Sequence, residues 1–118
     1  MGEEIILNEL HRFLRDVNHE LLKLKELHNI VEADRILYNE NRQQLDECLN
    51  RSCALFQLWT PLDRMIYQID NPEYEIINIQ RSINRKLRKI FRLTQAINGV
   101  LAESLLMLTA QVQPQQQQ

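Results

Sequence analysis

Glycine and proline are scarce in this sequence, whose 118 residues include two glycines and three prolines. Hairpins and tight turns depend on these residue types, so their scarcity disfavours a fold rich in β-strands. Leucine, isoleucine, glutamate, glutamine, arginine and asparagine are abundant instead. Because most of these residues suit long helices, the composition predicts an all-α protein.

The sequence also lacks the features that direct a chain into or across a membrane. No run approaches the eighteen or so consecutive apolar residues of a membrane span. Glu3 and Glu4 stand where a secretion signal would carry lysine or arginine. We therefore predict a cytoplasmic protein with no membrane span.

Motifs for catalysis and metal binding are missing from the sequence as well. It contains no glycine-rich phosphate loop and no Gly-x-Ser-x-Gly motif. Cys48 and Cys53 would point about 140° apart on a helix, and the adjacent Asp46 and Glu47 about 100° apart. The three histidines lack the spacing of four that a helical metal site uses. We expect no catalytic residue, no metal and no cofactor.

Two proline sites divide the chain. At the first, Thr60 suits the N-cap of a new helix and Pro61 suits its first turn, which predicts a break or kink within the middle segment. At the second, Asn71 suits the N-cap and Pro72 the first position of the last helix. Each preceding segment should end before its proline.

The segment before the first proline carries apolar residues at spacings of three and four, as in a coiled-coil seam. These are Leu7, Leu10, Leu14, Val17, Leu21 and Leu24. The pattern weakens between about residues 32 and 44, where Asn39-Glu40-Asn41 predicts a reversal of the chain. The other interpretation is one helix of more than fifty residues, in a long helical hairpin that would dimerise to bury its seam.

The last segment has the clearest helical pattern, from Pro72 to about Val112. Gly99 lies inside this pattern, where we expect it to let a neighbouring helix approach closely. Beyond Pro114 only glutamine remains, which predicts a disordered tail over 113–118. One helical domain should therefore occupy residues 1–112.

The whole pattern predicts an elongated antiparallel three-helix bundle, with helices at about 4–38, 42–70 and 72–112. The middle helix would be kinked near Pro61. It carries several large apolar residues, among them Trp59, Met65 and Tyr67, which we expect to fill one end of the core. If this segment is exposed instead, Trp59 and Tyr67 are the predicted apolar anchors for a partner.

Basic residues are concentrated near the C-terminus. Residues 1–75 carry eight basic and fifteen acidic groups, and residues 76–118 carry six basic groups and one acidic group. Arg81, Arg85, Arg88 and Arg92 are spaced by four, three and four residues, so their side chains form one row within about 60° of helical arc. Lys89 lies beside this row.

Three interpretations of the basic row are open from the sequence. Acidic residues of the same chain could pair with it, such as Glu20, Glu26, Asp46 and Glu47. A protein partner with an acidic or amphipathic surface could dock on it, and a second copy of this chain is one such partner. Nucleic-acid phosphates could follow the row, although an isoelectric point near 5.9 disfavours this.

From these patterns we predict a non-enzymatic adaptor or assembly subunit that acts through protein–protein contacts. The predicted partner-binding residues are Arg81, Arg85, Arg88, Lys89, Arg92, Trp59 and Tyr67. Nucleic-acid binding through the arginine row is an alternative function.

The run TQAINGVLAESLLML near the C-terminus adds another alternative. It resembles the end of flagellar export chaperones of the hook-filament-junction type, where an Asn-Gly pair precedes a helix with Glu-Ser and leucines. The shared residues are Asn98, Gly99, Leu101, Glu103, Ser104 and Leu105, about a tenth of the chain. The resemblance implies a chaperone in which an exposed part of the last helix binds the helical tail of a client.

Overall fold

The structure, a computed structural model, describes residues 2–34 and 38–116, and these form three helices with no strand. They are α1 (Gly2–Ala33), α2 (Tyr38–Tyr67) and α3 (Tyr74–Gln116). Each helix contacts both others in an elongated bundle. The side-chain pairs between helices show that α2 runs antiparallel to α1 and α3. The predicted all-α three-helix bundle is confirmed.

One apolar stripe from each helix forms a single core. Phe13 and Leu27 of α1 are buried, whereas Leu14 of the predicted seam is half-buried, so the buried face is rotated slightly from the seam. The ring of Phe13 stacks on that of Trp59 in α2, with 5.3 Å between the ring centres. The core residues of α3 are Ile76, Ile79, Ile83, Leu87, Ile90, Ile97, Val100 and Leu101.

The antiparallel helix α2 begins at Tyr38, so Asn39-Glu40-Asn41 lies within α2 and does not form the predicted turn. Asn41, which we expected in the turn, lies in α2 with its side chain buried. Its Nδ2 donates a hydrogen bond of 3.4 Å to the backbone oxygen of Asp34, so the asparagine ties α2 to the end of α1. The interpretation of this region as one helix of more than fifty residues is therefore wrong.

The predicted helix start at Thr60 is also wrong, because α2 continues through Pro61 to Tyr67. The Oγ1 of Thr60 donates a 3.1 Å hydrogen bond back to the carbonyl oxygen of Phe56, as in a helix interior. Proline removes one intrahelical hydrogen bond at this point. The helix continues because Trp59 and Ile66, on either side of the proline, are both buried in the core.

The α2–α3 connection uses Asn71 differently from the prediction. Asn71 does not cap α3, which begins three residues later at Tyr74. Its φ of 53° places it in the left-handed region, which asparagine tolerates better than most residues. Asn71 therefore supplies the change of direction that glycine often supplies in other chains.

The C-terminal part of α3 extends beyond the bundle. Lys86 donates a hydrogen bond to Asn18, and α1 ends fifteen residues after Asn18, so α3 passes the end of α1 near Leu101. The last buried side chain described on α3 is Ser104, and residues 105–110 are all exposed. We call residues 105–116 the α3 extension. It is about 18 Å long at about 1.5 Å per residue.

Gly99 does not serve the role that we expected. A Cβ added to it would meet no atom within 4 Å, so no neighbouring helix approaches it closely.

Over the described residues, α3 also meets the criteria of length and composition for a helix that could cross a membrane. Its qualifying 18-residue window has a mean hydropathy of 1.2, and 28% of that window is buried in the bundle. The predicted absence of a membrane span therefore stays a prediction.

Candidate interaction surface

The four arginines of the predicted row lie on the outer face of α3, and we call them the arginine ridge. All four side chains, Arg81, Arg85, Arg88 and Arg92, are exposed. At 100° per residue they are centred about 180° around the helix from the core residues Ile83 and Ile90. The core of the bundle therefore holds α3 in an orientation that directs the ridge to solvent.

None of the acidic residues considered from the sequence engages the ridge. The Oε2 of Glu20 accepts a 2.9 Å hydrogen bond from the Nε of Arg51, and Asp46 pairs with Arg42 at 3.3 Å. Over residues 2–34 and 38–116, no ridge guanidinium forms a hydrogen bond or an ion pair. Pairing among the described residues therefore does not account for the ridge.

A groove between α2 and α3 runs beside the ridge and contains two pockets. We call the larger one, of about 560 Å³, the upper pocket. It is lined by Phe56, Trp59, Thr60, Asp63, Arg64, Asn84, Leu87, Arg88 and Phe91. The lower pocket, of about 380 Å³, is lined by Ile66, Tyr67, Ile69, Pro72, Ile77, Gln80, Arg81 and Asn84. Each pocket thus borders one arginine of the ridge.

Trp59 and Tyr67, the predicted apolar anchors, lie in different pockets and differ in exposure. Trp59 is buried, stacked on Phe13, and its Nε1 donates a 2.8 Å hydrogen bond to the Oδ1 of Asn84. It is fixed in place and forms part of the upper pocket's lining. The expectation that Met65 and Tyr67 help to fill one end of the core is wrong, because they are 48% and 75% exposed. Tyr67 lies at the lower pocket, so it can meet a partner directly.

The lysines near the ridge face α1 rather than α2. Lys89 is exposed and lines a cavity of about 310 Å³ with Lys25, Arg92, Leu93 and Ala96. Lys86 is engaged by Asn18 of α1. Lys89 therefore extends the positive charge of the ridge on the side away from the α2–α3 groove.

Sequence reasoning did not identify Phe91 and Arg64 as site residues. Phe91 is 55% exposed at the upper pocket, and Arg64 lies on the α2 wall of the same pocket. The position of Phe91 at the edge of the apolar stripe, among basic residues, was a usable signal. Arg64 carried no such signal, because its closeness to Arg88 depends on how α2 and α3 pack.

A second polar cluster lies between α1 and α2, away from the ridge. Glu20 is buried, and Arg51 contacts both its carboxylate and the Sγ of Cys48, the latter at 3.3 Å. Burial and then the negative charge of Glu20 raise the pKa of the Cys48 thiol, and Arg51 opposes this in part. A raised pKa keeps the thiol protonated, so Cys48 is a poor nucleophile.

No group of three or more histidine, cysteine, aspartate or glutamate side chains suited to a metal ion occurs in the described part of the chain. Comparisons with protein-family models, with curated proteins and with solved structures found no match to this chain. The geometry of the ridge and groove is therefore the basis for any functional proposal.

Proposed function

We propose that this protein is a non-enzymatic helical interaction module of the cytoplasm, an adaptor or assembly subunit. It docks an acidic or amphipathic protein partner on the arginine ridge and on the adjoining groove between α2 and α3. The ridge attracts carboxylates, because each guanidinium presents several donors in a planar fork. The groove supplies the apolar contact area that charge alone does not provide.

The observation that carries this proposal is the exposure of four unpaired guanidinium groups beside two open pockets with apolar walls. No hydrogen bond or ion pair among the described residues uses these groups. Unpaired surface charges of one sign speed the encounter with a partner of opposite charge. The exposed rings of Tyr67 and Phe91 then offer contact at the neighbouring pockets.

Affinity capture from native cell extract tests this function with three forms of the full chain. They are the wild type, the ridge variant Arg85→Glu/Arg88→Glu, and the control variant Arg12→Glu/Arg15→Glu. The control pair is also exposed and three residues apart, but it lies on α1. Both variants should fold, because none of the four side chains is in the core.

We expect a partner that is recovered with the wild type and the control variant and lost with the ridge variant. Recovery should also fall as salt is raised, because exposed charges are screened. A partner recovered equally with all three forms would contradict docking on the ridge. Circular dichroism of each form checks that loss of the partner does not reflect unfolding.

The α3 extension supports a second candidate function, that of an export-type chaperone for a client helix. Four consecutive apolar side chains, Leu105, Leu106, Met107 and Leu108, are between 37% and 71% exposed. Consecutive residues on a helix point in different directions, so residues 105–108 present apolar side chains around the helix, which suits a helical client. A chain ending at Ser104 should keep the bundle core, because the buried side chains described on α3 end there.

The same capture experiment separates the two protein-binding functions. A partner lost on truncation after Ser104 but retained by the ridge variant would favour the chaperone. Nucleic-acid binding is tested by gel shift with generic DNA and RNA, where affinity should fall steeply between about 50 and 200 mM salt. A shift that the Arg85→Glu/Arg88→Glu substitutions abolish would replace the protein partner with nucleic acid.

A further inference from the structure

The two pockets of the α2–α3 groove are related by a shift of seven residues along each helix. On α3, Arg81 lines the lower pocket and Arg88, seven residues later, lines the upper pocket. Asn84 lines both, seven residues after Ile77 and seven before Phe91. The same positions of the helical repeat therefore form both pockets on this wall.

The α2 wall repeats with the same period. Ile66 and Tyr67 line the lower pocket, and Trp59 and Thr60, seven residues earlier, line the upper one. Because α2 and α3 are antiparallel, seven residues forward along α3 and seven residues back along α2 lead in the same direction. Each of these shifts is about 10.5 Å long. Seven residues is also the period at which apolar side chains of a coiled-coil helix return to the same face.

We propose that the occupant of this groove is an acidic helix whose apolar residues repeat every seven residues. This inference rests on the proposed docking function and identifies the partner as a fourth helix lying along the groove. Apolar side chains seven residues apart on that helix would enter the upper and lower pockets. Its flanking carboxylates would meet the arginines of the two walls.

The charges along the groove favour an acidic occupant over a basic one. Arg64 on α2 and Arg88 on α3 border the upper pocket from opposite walls, and Arg81 borders the lower one. The carboxylate of Asp63 already accepts a 2.7 Å hydrogen bond from the Nε2 of Gln80. Its acceptor capacity is partly used, whereas the three arginines are unpaired among the described residues.

Fluorescence anisotropy with two designed peptides tests this inference on the full chain. The heptad peptide has about three heptads, with leucine at a and d and glutamate at e and g. The control peptide has the same composition, but its leucines are distributed around the helix. The groove variant Tyr67→Ser/Phe91→Ser changes one exposed ring in each pocket, and its matched control is Leu22→Ser/Leu58→Ser, two exposed apolar residues outside both pockets.

We expect the wild type to bind the heptad peptide at least about tenfold more tightly than the control peptide. The groove variant should lose about tenfold in affinity for the heptad peptide, and the Leu22/Leu58 variant should bind it like the wild type. The ridge variant Arg85→Glu/Arg88→Glu should bind both acidic peptides more weakly.

Each failure has a different meaning. If both peptides bind equally and both depend on the ridge, the heptad inference is overturned and docking on the ridge stands. If the ridge variant binds the heptad peptide as the wild type does, the proposed docking function fails instead. A dimer in light scattering that the groove variant converts to a monomer would assign the groove to a second copy of this chain and overturn the inference. No binding of the heptad peptide would overturn it as well.

Discussion

Substituting Arg51 by alanine should destabilise the bundle more than any comparable change of an exposed arginine. The Glu20 side chain is 4% exposed, and Arg51 Nε donates its 2.9 Å hydrogen bond to Oε2. The other carboxylate oxygen, Oε1, is buried with no hydrogen-bond partner. Arg51→Ala would therefore leave a buried negative charge without compensation.

The size of the effect follows from the burial of the two partners. Removing one partner of a buried ion pair costs about 3–5 kcal/mol. Arg51 is 43% exposed, so water screens the pair, and we expect a loss of about 3 kcal/mol in the free energy of unfolding. Adding Glu20→Gln to Arg51→Ala should restore at least about 1 kcal/mol, because the neutral amide leaves no buried charge.

Urea unfolding at pH 7, followed by circular dichroism, measures these free energies. The control is Arg12→Ala, which removes an exposed pair with Glu9 at 3.5 Å and should cost less than about 1 kcal/mol. If Arg51→Ala lowers the free energy of unfolding no more than this control does, the burial of Glu20 does not make its pair with Arg51 more stabilising than an exposed pair. Failure of Glu20→Gln to rescue the Arg51→Ala chain would refute the same reasoning.

Three further predictions concern single residues. Gly99→Ala should raise the free energy of unfolding by about 1 kcal/mol in the same urea assay, because the helix gains alanine's propensity and the new Cβ meets no atom. Asn71→Ala should lower it by about 1 kcal/mol, and Asn71→Gly should not, since the left-handed φ of 53° penalises a Cβ. Because the pKa of the Cys48 thiol is raised, the unfolded thiol ionises at lower pH than the folded one, so stability should fall as pH rises above about 8.5. Urea curves across that range should show a smaller fall for Cys48→Ala than for a Cys53→Ala control; equal slopes would contradict the assignment.

The spacing of apolar residues was sufficient to predict three helices and the buried face of α3. On α1 the buried face is rotated slightly from the predicted seam, and on α2 Met65 and Tyr67, which we expected in the core, are exposed. The helix boundaries were less predictable, because local signals compete with tertiary packing. Thr60 and Pro61 carry a strong start signal, yet α2 continues through them since Trp59 and Ile66 must both reach the core. Asn71 was predicted to be the N-cap of α3. Its actual left-handed conformation depends on how the chain turns from α2 into α3, which the local sequence does not specify.

The candidate surface could be predicted only in the part that lies on one helix. The spacing of the arginines places them in a row whatever the neighbouring helices do. The groove needs two helices in a particular register, so no pattern within α3 alone shows that Trp59 meets Asn84. For the same reason, the repeat of seven residues became visible only when the linings of the two pockets were compared.

The unpaired state of the ridge follows from the geometry of a three-helix bundle. Residues on the shoulders of α3 can reach α1 or α2, as Lys86 reaches Asn18 and Gln80 reaches Asp63. The ridge is centred about 180° from the core, so its side chains point away from α1 and most of α2. Asp63 of α2 borders the upper pocket with Arg88, but its carboxylate already accepts a hydrogen bond from Gln80. A helix added outside α3, beside the groove, could bring carboxylates to Arg81 and Arg88, which border the two pockets. The proposed acidic fourth helix would therefore pair with these arginines and fill the groove in the same placement.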